Sequence, residues 1–173
     1  MEKGFGIWLT GLPASGKSSI AKELVRKLRE RGIPVVVLES DKMRKILTPE
    51  PAYSPEERDL FYRTLALIGE ELTGNNVNVI YDATANKRAY RDYGRSLIPK
   101  FIEVFVDCPV EVCKKRDPKG IYAAAVTGKA TSVPGIQASY EPPLRPDLRL
   151  NGQAPPEDGA EAVIRMLLEF RYI

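Results

Sequence analysis

Eight consecutive residues, Gly11-Leu12-Pro13-Ala14-Ser15-Gly16-Lys17-Ser18, constrain this chain more than any other stretch. They match G-x-x-x-x-G-K-[ST] at every fixed position, between an apolar run, Ile7-Trp8-Leu9, and a helical pattern that begins near Lys17. That context is what the pattern needs, because a buried strand delivers the loop and the following helix aims its free N–H groups at an anion. Glycines let the backbone close around phosphate oxygens, Lys17 reaches the outer phosphates, and Ser18 supplies a hydroxyl to Mg²⁺, with Ser19 next to it at the helix start. The stretch reads as a nucleoside triphosphate site with Mg²⁺ as the expected companion ion.

The apolar and turn patterns extend this unit into a fold. A strand over Phe5 to Thr10, a helix from Lys17 towards Arg31 with Ile20, Leu24, Val25 and Leu28 inward, and an apolar strand over Ile33 to Leu38 make one βαβ unit. A short helix follows to Leu47, then a turn through Thr48-Pro49-Glu50-Pro51. Ser54-Pro55-Glu56-Glu57 has the form of a capping box opening a helix to about Thr73, with Leu60, Phe61, Leu65, Leu67, Ile68 and Leu72 as its apolar face. Further strands are expected over Val77 to Tyr81, Phe101 to Val106 and Leu148 to Leu150. Helices are expected over Lys87 to Leu97, from Pro109, and over Glu157 to Phe170. The alternation predicts a three-layer α/β P-loop NTPase fold, with a doubly wound parallel sheet of about five strands. Residues 116–146, rich in Gly, Pro, Ala and Thr, interrupt the pattern and read as a mobile lid within one domain over 1–173.

Composition removes several classes of function. The chain of 173 residues contains no histidine, which excludes Ser-His and Cys-His nucleophilic chemistry. Its 26 basic and 23 acidic residues are too balanced to imply a nucleic-acid surface by themselves, and leave room for a local basic site for an anionic substrate. Cys108 and Cys113 are too few for a disulfide framework and read as buried free thiols. With no membrane-length apolar run and a first strand almost at the N-terminus, the expectation is a cytoplasmic protein. Oligomeric state stays open, a homodimer included.

The remaining inventory, Asp, Lys, Arg and Mg²⁺, is that of phosphoryl transfer. Asp41, just beyond the second strand, is placed to take a proton from an attacking hydroxyl or to orient Mg²⁺, and with Lys17 it is the expected catalytic pair. Arg44, Arg58 and Arg63 can form a basic rim for an anionic acceptor. Asp82 either holds Mg²⁺ through water or caps the next helix. Arg116, in the basic cluster Lys114-Lys115-Arg116, can lie across a nucleotide base or meet phosphates when the lid closes.

The run from Phe101 through Asp107-Cys108-Pro109-Val110-Glu111-Val112-Cys113 into Arg116-Asp117-Pro118-Lys119-Gly120-Ile121-Tyr122, with Gly135-Ile136 and Tyr140-Glu141-Pro142-Pro143 after it, resembles adenylylsulfate kinases over nearly the whole chain. Asp41-x-x-Arg44 is similar to the latter half of that family's D-G-D-x-x-R motif, and Ser54, Arg58 and Arg63 fall on its F-S…R…R positions. The resemblance implies ATP-dependent phosphorylation of the 3′-hydroxyl of adenosine 5′-phosphosulfate in sulfate assimilation. Acceptor contacts are then implied at Asp41, Arg44, Arg58, Arg63, Thr84 and Lys129.

The chain also departs from the family pattern. Glu39 and Ser40 replace the first Asp and the Gly of D-G-D. Ala83-Thr84-Ala85-Asn86-Lys87-Arg88 stands for F-I-S-P-x-R, so Ala85 has no hydroxyl to carry a phosphoryl group and transfer is expected in line. Phe61 replaces an Asn, Thr131 takes the place of the lid lysine with Lys129 nearby, and Val133 aligns with the aromatic that would stack on acceptor adenine. Asp82-Ala83-Thr84-x-Asn86 with Arg88 and Arg91 is similar to the D-A-T-N…R stretch of polynucleotide and seryl-tRNA kinases. That leaves a hydroxyl kinase acting on RNA or a nucleotide as a second reading and a non-catalytic nucleotide-binding regulatory module as a third.

Overall fold

The computed structural model describes residues 3–173. In chain order the elements are β1 (Gly6–Thr10), α1 (Lys17–Glu30), β2 (Val35–Glu39), α2 (Ser40–Leu47), α3 (Pro55–Gly74), β3 (Asn78–Asp82), α4 (Arg88–Leu97), β4 (Phe101–Asp107), α5 (Val110–Arg116), α6 (Ile121–Val126), β5 (Leu148–Asn151) and α7 (Pro156–Glu169). The five strands form one sheet in the order β2-β3-β1-β4-β5, and every pairing is parallel. This is the three-layer, doubly wound α/β fold that the alternation predicts.

Central β1 is buried at every residue, and its side chains alternate between the two faces of the sheet. Ile7 and Leu9 point into a core with Leu24 and Leu28 of α1 and Val163 and Leu167 of α7. Trp8 points the other way, stacks on Tyr81 with ring centroids 4.3 Å apart, and packs with Phe61 and Leu65 of α3 and Tyr90 of α4. Both faces of the middle strands are therefore covered, as a parallel sheet requires.

Three local expectations need correction. Strand β2 begins at Val35 and lies at the sheet edge, where Val36 is 38% exposed, so its apolar run is not covered on both faces. On α3 the sheet-facing positions are Phe61, Tyr62, Leu65 and Ala66, which leaves Leu60 and Leu67 rotated outward and exposed. At the start of α3, Ser54 accepts the Glu57 amide at 3.1 Å, but the Glu57 carboxylate passes over Ser54 to accept the amides of Ala52 and Tyr53. The cap thereby fixes the preceding turn as well as the helix end.

Residues 116–146 contribute helix α6 and several buried side chains. Tyr122, Ala125 and Val133 join Cys108 and Cys113 in a small third core, against which Leu12 and Ala14 pack. Both cysteines are buried free thiols. Among the described residues no helix is long and apolar enough to cross a membrane.

Candidate active site

Parallel strands deliver their C-terminal ends to one edge of the sheet, and the loops that follow β1, β2 and β3 meet there. Together with the 116–146 segment they enclose a cavity of about 760 Å³. Pro13, Ala14, Gly16, Lys17, Ser18 and Ser19 line one wall, while Gly11, Leu12 and Ser15 are not among the lining residues. Gly16, at φ 111°, is the N-cap of α1, offers no side-chain cap, and leaves the first helical N–H groups for another acceptor.

The charges in this wall fit a polyphosphate. Lys17 is buried, and its Nζ donates to the carbonyls of Gly11 at 3.0 Å and Leu12 at 2.8 Å. Burial pulls its pKa down to about 8, against the pull of Asp82, which favours the charged form. The Ser15 hydroxyl is buried and has no partner among the described residues, an unspent polar group inside the loop. The residues present therefore fit a triphosphate. Among the described residues no three Cys, Asp or Glu side chains converge into a metal cage. Mg²⁺ in such sites is held by one or two carboxylates together with phosphates and water, and Ser18, Asp41 and Asp82 all face the cavity.

The acceptor candidates line the same cavity. Asp41, at the start of α2, pairs with Lys119 of the 116–146 segment. Arg44 is buried over the Phe61 ring at 3.9 Å and reaches Glu57 at 3.5 Å. Phe61, the residue standing for the family's Asn, thus supports Arg44 from beneath. Arg58 is also buried, and its guanidinium donates to Tyr53 O, to Asn86 Oδ1 at 3.2 Å and to Ser132 Oγ at 2.9 Å. It ties α3, the β3–α4 loop and the 116–146 segment together at the cavity wall. Thr84, whose carbonyl accepts the Thr10 hydroxyl at 2.6 Å, also lines the cavity, as do Lys129 and Thr131. Arg116 lies at the opposite end, donating to the Gly152 carbonyl at 2.8 Å.

The structure does not bring Arg63 to this cavity. Its side chain is 55% exposed, pairs with Asp59 one helical turn away, and lies over the Tyr93 ring. Asp82 does not cap the next helix, whose N-cap is Lys87, and instead faces the cavity from the end of β3. Val133 touches the cavity but is only 4% exposed, packed in the third core. Tyr53 and Lys119, both lining the cavity, receive no site role from the sequence. Tyr53 sits at φ 55° with the guanidinium carbons of Arg44 and Arg58 at 5.0 and 5.5 Å from its ring centre. Its signal was an aromatic residue directly before the Ser54 cap.

The 116–146 segment is seated on the phosphate loop itself. The Tyr122 hydroxyl donates to the Pro13 carbonyl at 2.9 Å, and a Cβ built on Gly135, at φ 87°, would stand 2.6 Å from Leu12 Cδ2. At its exit, Glu141 accepts the Arg88 amide, and Arg91 donates to the Glu141 carbonyl.

Comparison with known proteins places these features among relatives. The family model described as Adenylylsulphate kinase matches residues 3–151. A probable adenylyl-sulfate kinase of Pyrococcus abyssi is 38% identical over 172 residues, 99% of each chain. An adenylyl-sulfate kinase of Halothermothrix orenii is 38% identical over 173 residues, covering 99% of this chain and 94% of its own. The solved structure of the Mycobacterium tuberculosis APS kinase CysC, in complex with AMPPNP and APS, superposes with a TM-score of 0.91 at 36% identity, over 96% of this chain and 99% of the other.

Proposed function

The chain belongs to the adenylylsulphate kinase family, and from that premise we propose that it uses ATP to phosphorylate the 3′-hydroxyl of adenosine 5′-phosphosulfate, giving 3′-phosphoadenosine 5′-phosphosulfate. One observation carries the reading from family to site: the phosphate loop and the side chains of Asp41, Arg44 and Arg58 line one and the same cavity. Donor and acceptor would meet in its middle.

Gly11 to Ser19 seat the ATP phosphates, and Arg116, beside Gly152, borders the far end where the base would lie. Arg44, Arg58, Thr84 and Lys129 border the acceptor side. Tyr53 offers a ring there, and stacking on a base is worth about 1 kcal/mol per aromatic contact. Mg²⁺, held by Ser18 and a strand-end carboxylate, would neutralise charge on the transferring group. Asp41 accepts the hydroxyl proton or orients the metal. Ala85 is buried and carries no hydroxyl, so phosphoryl transfer is direct. Two buried free thiols suit a reducing compartment, which supports a cytoplasmic reaction.

The test is turnover of adenosine phosphosulfate with ATP and Mg²⁺ by the purified protein and by Asp41→Asn. The reading expects ADP release that depends on the acceptor, and a loss in the variant of about a hundredfold or more in kcat. Turnover with oligonucleotide alone would overturn the acceptor assignment. A loss confined to KM would make Asp41 a binding residue.

A further inference from the structure

The 116–146 segment brings a second lysine to the phosphate end of the cleft. Lys119 sits in a tight turn, Asp117-Pro118-Lys119-Gly120, closed by the Gly120 amide donating to the Asp117 carbonyl at 3.0 Å. Both sides of the turn are tied down. Arg116 donates to the Gly152 carbonyl before it, and after it the Tyr122 hydroxyl donates to Pro13 of the phosphate loop. The Asp117 carboxylate accepts the amides of Tyr122 and Ala123 at the start of α6. The Lys119 backbone is thus fixed relative to the phosphate loop, while its side chain is 56% exposed at the end of a flexible tether.

What the ammonium meets is carboxylate. It pairs with Asp41, and Glu39 and Asp82, in register at the ends of β2 and β3, lie in electrostatic range. Lys119 and Lys17 line the same cavity, and Asp41, the partner of Lys119, also acts on Lys17 to favour its charged form. An exposed ion pair of this kind adds little stability, so a polyphosphate of several negative charges competes for the lysine easily. Phosphoryl transfer gains most from cations arranged in advance around the transferring group.

Resting on the kinase reading above, we propose that Lys119 is a further catalytic residue: its ammonium holds Asp41 in the nucleotide-free cleft and passes to the phosphates when ATP is seated. The exchange releases Asp41 for its own role as the donor arrives, and adds a second side-chain cation to Lys17. No covalent step is involved.

The test begins with calorimetric titration of ATP in the presence of a chelator, so that binding is read without Mg²⁺, acceptor or turnover. Asp41→Asn is expected to tighten ATP by about fivefold or more, since it frees Lys119, and the gain is expected to vanish in the Asp41→Asn/Lys119→Met double variant. A gain that persists in the double variant reports only the loss of carboxylate repulsion and overturns the proposal. With Mg²⁺ and adenosine phosphosulfate, Lys119→Met should lower kcat by about a hundredfold, and Lys119→Arg should restore it to within about tenfold. An unchanged kcat in Lys119→Met, or a change in acceptor KM alone, also overturns it. If the unaltered protein binds ATP but does not turn over adenosine phosphosulfate, the acceptor assignment fails while the chelated titrations still decide the role of Lys119.

Discussion

Arg91 and Glu103 form a buried ion pair at 2.7 Å, joining α4 to β4, with 0% of the arginine side chain and 8% of the glutamate exposed. The same guanidinium donates to the carbonyls of Ala85 and Glu141. One side chain thereby holds the β3–α4 loop and the exit of the 116–146 segment to the sheet. Removing one member of a buried pair costs about 3–5 kcal/mol where the other charge is left without a partner, whereas replacing both with apolar groups is often neutral. Arg95 stays 3.6 Å from Glu103 and holds the cost here to the low end of that range, about 3 kcal/mol. Arg91→Met is therefore expected to lower stability by about that much in urea unfolding, with Arg91→Met/Glu103→Met recovering at least half of the loss. The lost carbonyl contacts should remain visible in the double variant as reduced turnover.

Lys17 makes nucleotide binding depend on pH in a defined direction. Burial pulls its pKa down to about 8 in the nucleotide-free protein, and a bound polyphosphate favours the charged form and raises it again. Below that value the lysine is charged before binding. Above it, binding must take up a proton, so ATP affinity is expected to be flat on the acid side of about 8 and to fall as pH rises through it. Titrations in buffers of different ionisation enthalpy should show proton uptake only on the alkaline side. The sign for folding is separate: between about 8 and the ordinary lysine value of 10.5 the unfolded chain binds more protons, so this group's contribution to stability increases with pH there.

The parts of the fold and site that were legible in the sequence are those set by local chemistry. The phosphate loop needs fixed residues at fixed spacing, and β1, α1 and the Ser54 cap follow from patterns a few residues long. Asp41 and Thr84 lie where parallel strand ends must converge. What was not legible depends on which neighbour a face meets. The edge position of β2 exposes Val36, and a five-residue spacing, which carries Arg63 about 140° around α3 from Arg58, decides that Arg58 enters the cavity while Arg63 stays outside. Tyr53 and Lys119 reach the cleft on turns whose direction comes from capping and lid contacts, not from periodicity.

Val133 and Tyr53 separate two accounts of how the acceptor ring is held. By sequence position Val133 replaces a stacking aromatic, which predicts that Val133→Phe should tighten the acceptor. The structure argues the opposite, since Val133 is 4% exposed among Cys108, Cys113, Tyr122 and Ala125, with no open face for a ring. Extra carbons forced into such a core cost about 1–3 kcal/mol. Val133→Phe is therefore expected to lower the melting temperature and to leave acceptor KM unchanged or raised. Tyr53 already presents an aromatic ring to the cavity, 40% exposed and flanked by Arg44 and Arg58. Tyr53→Ala should raise acceptor KM by about five- to tenfold while ATP affinity stays within about twofold, the loss expected for one stacking contact of about 1 kcal/mol or slightly more. Steady-state kinetics on both variants, with thermal melting alongside, decide between the accounts: tighter acceptor binding by Val133→Phe at full stability would return the stacking role to the lid.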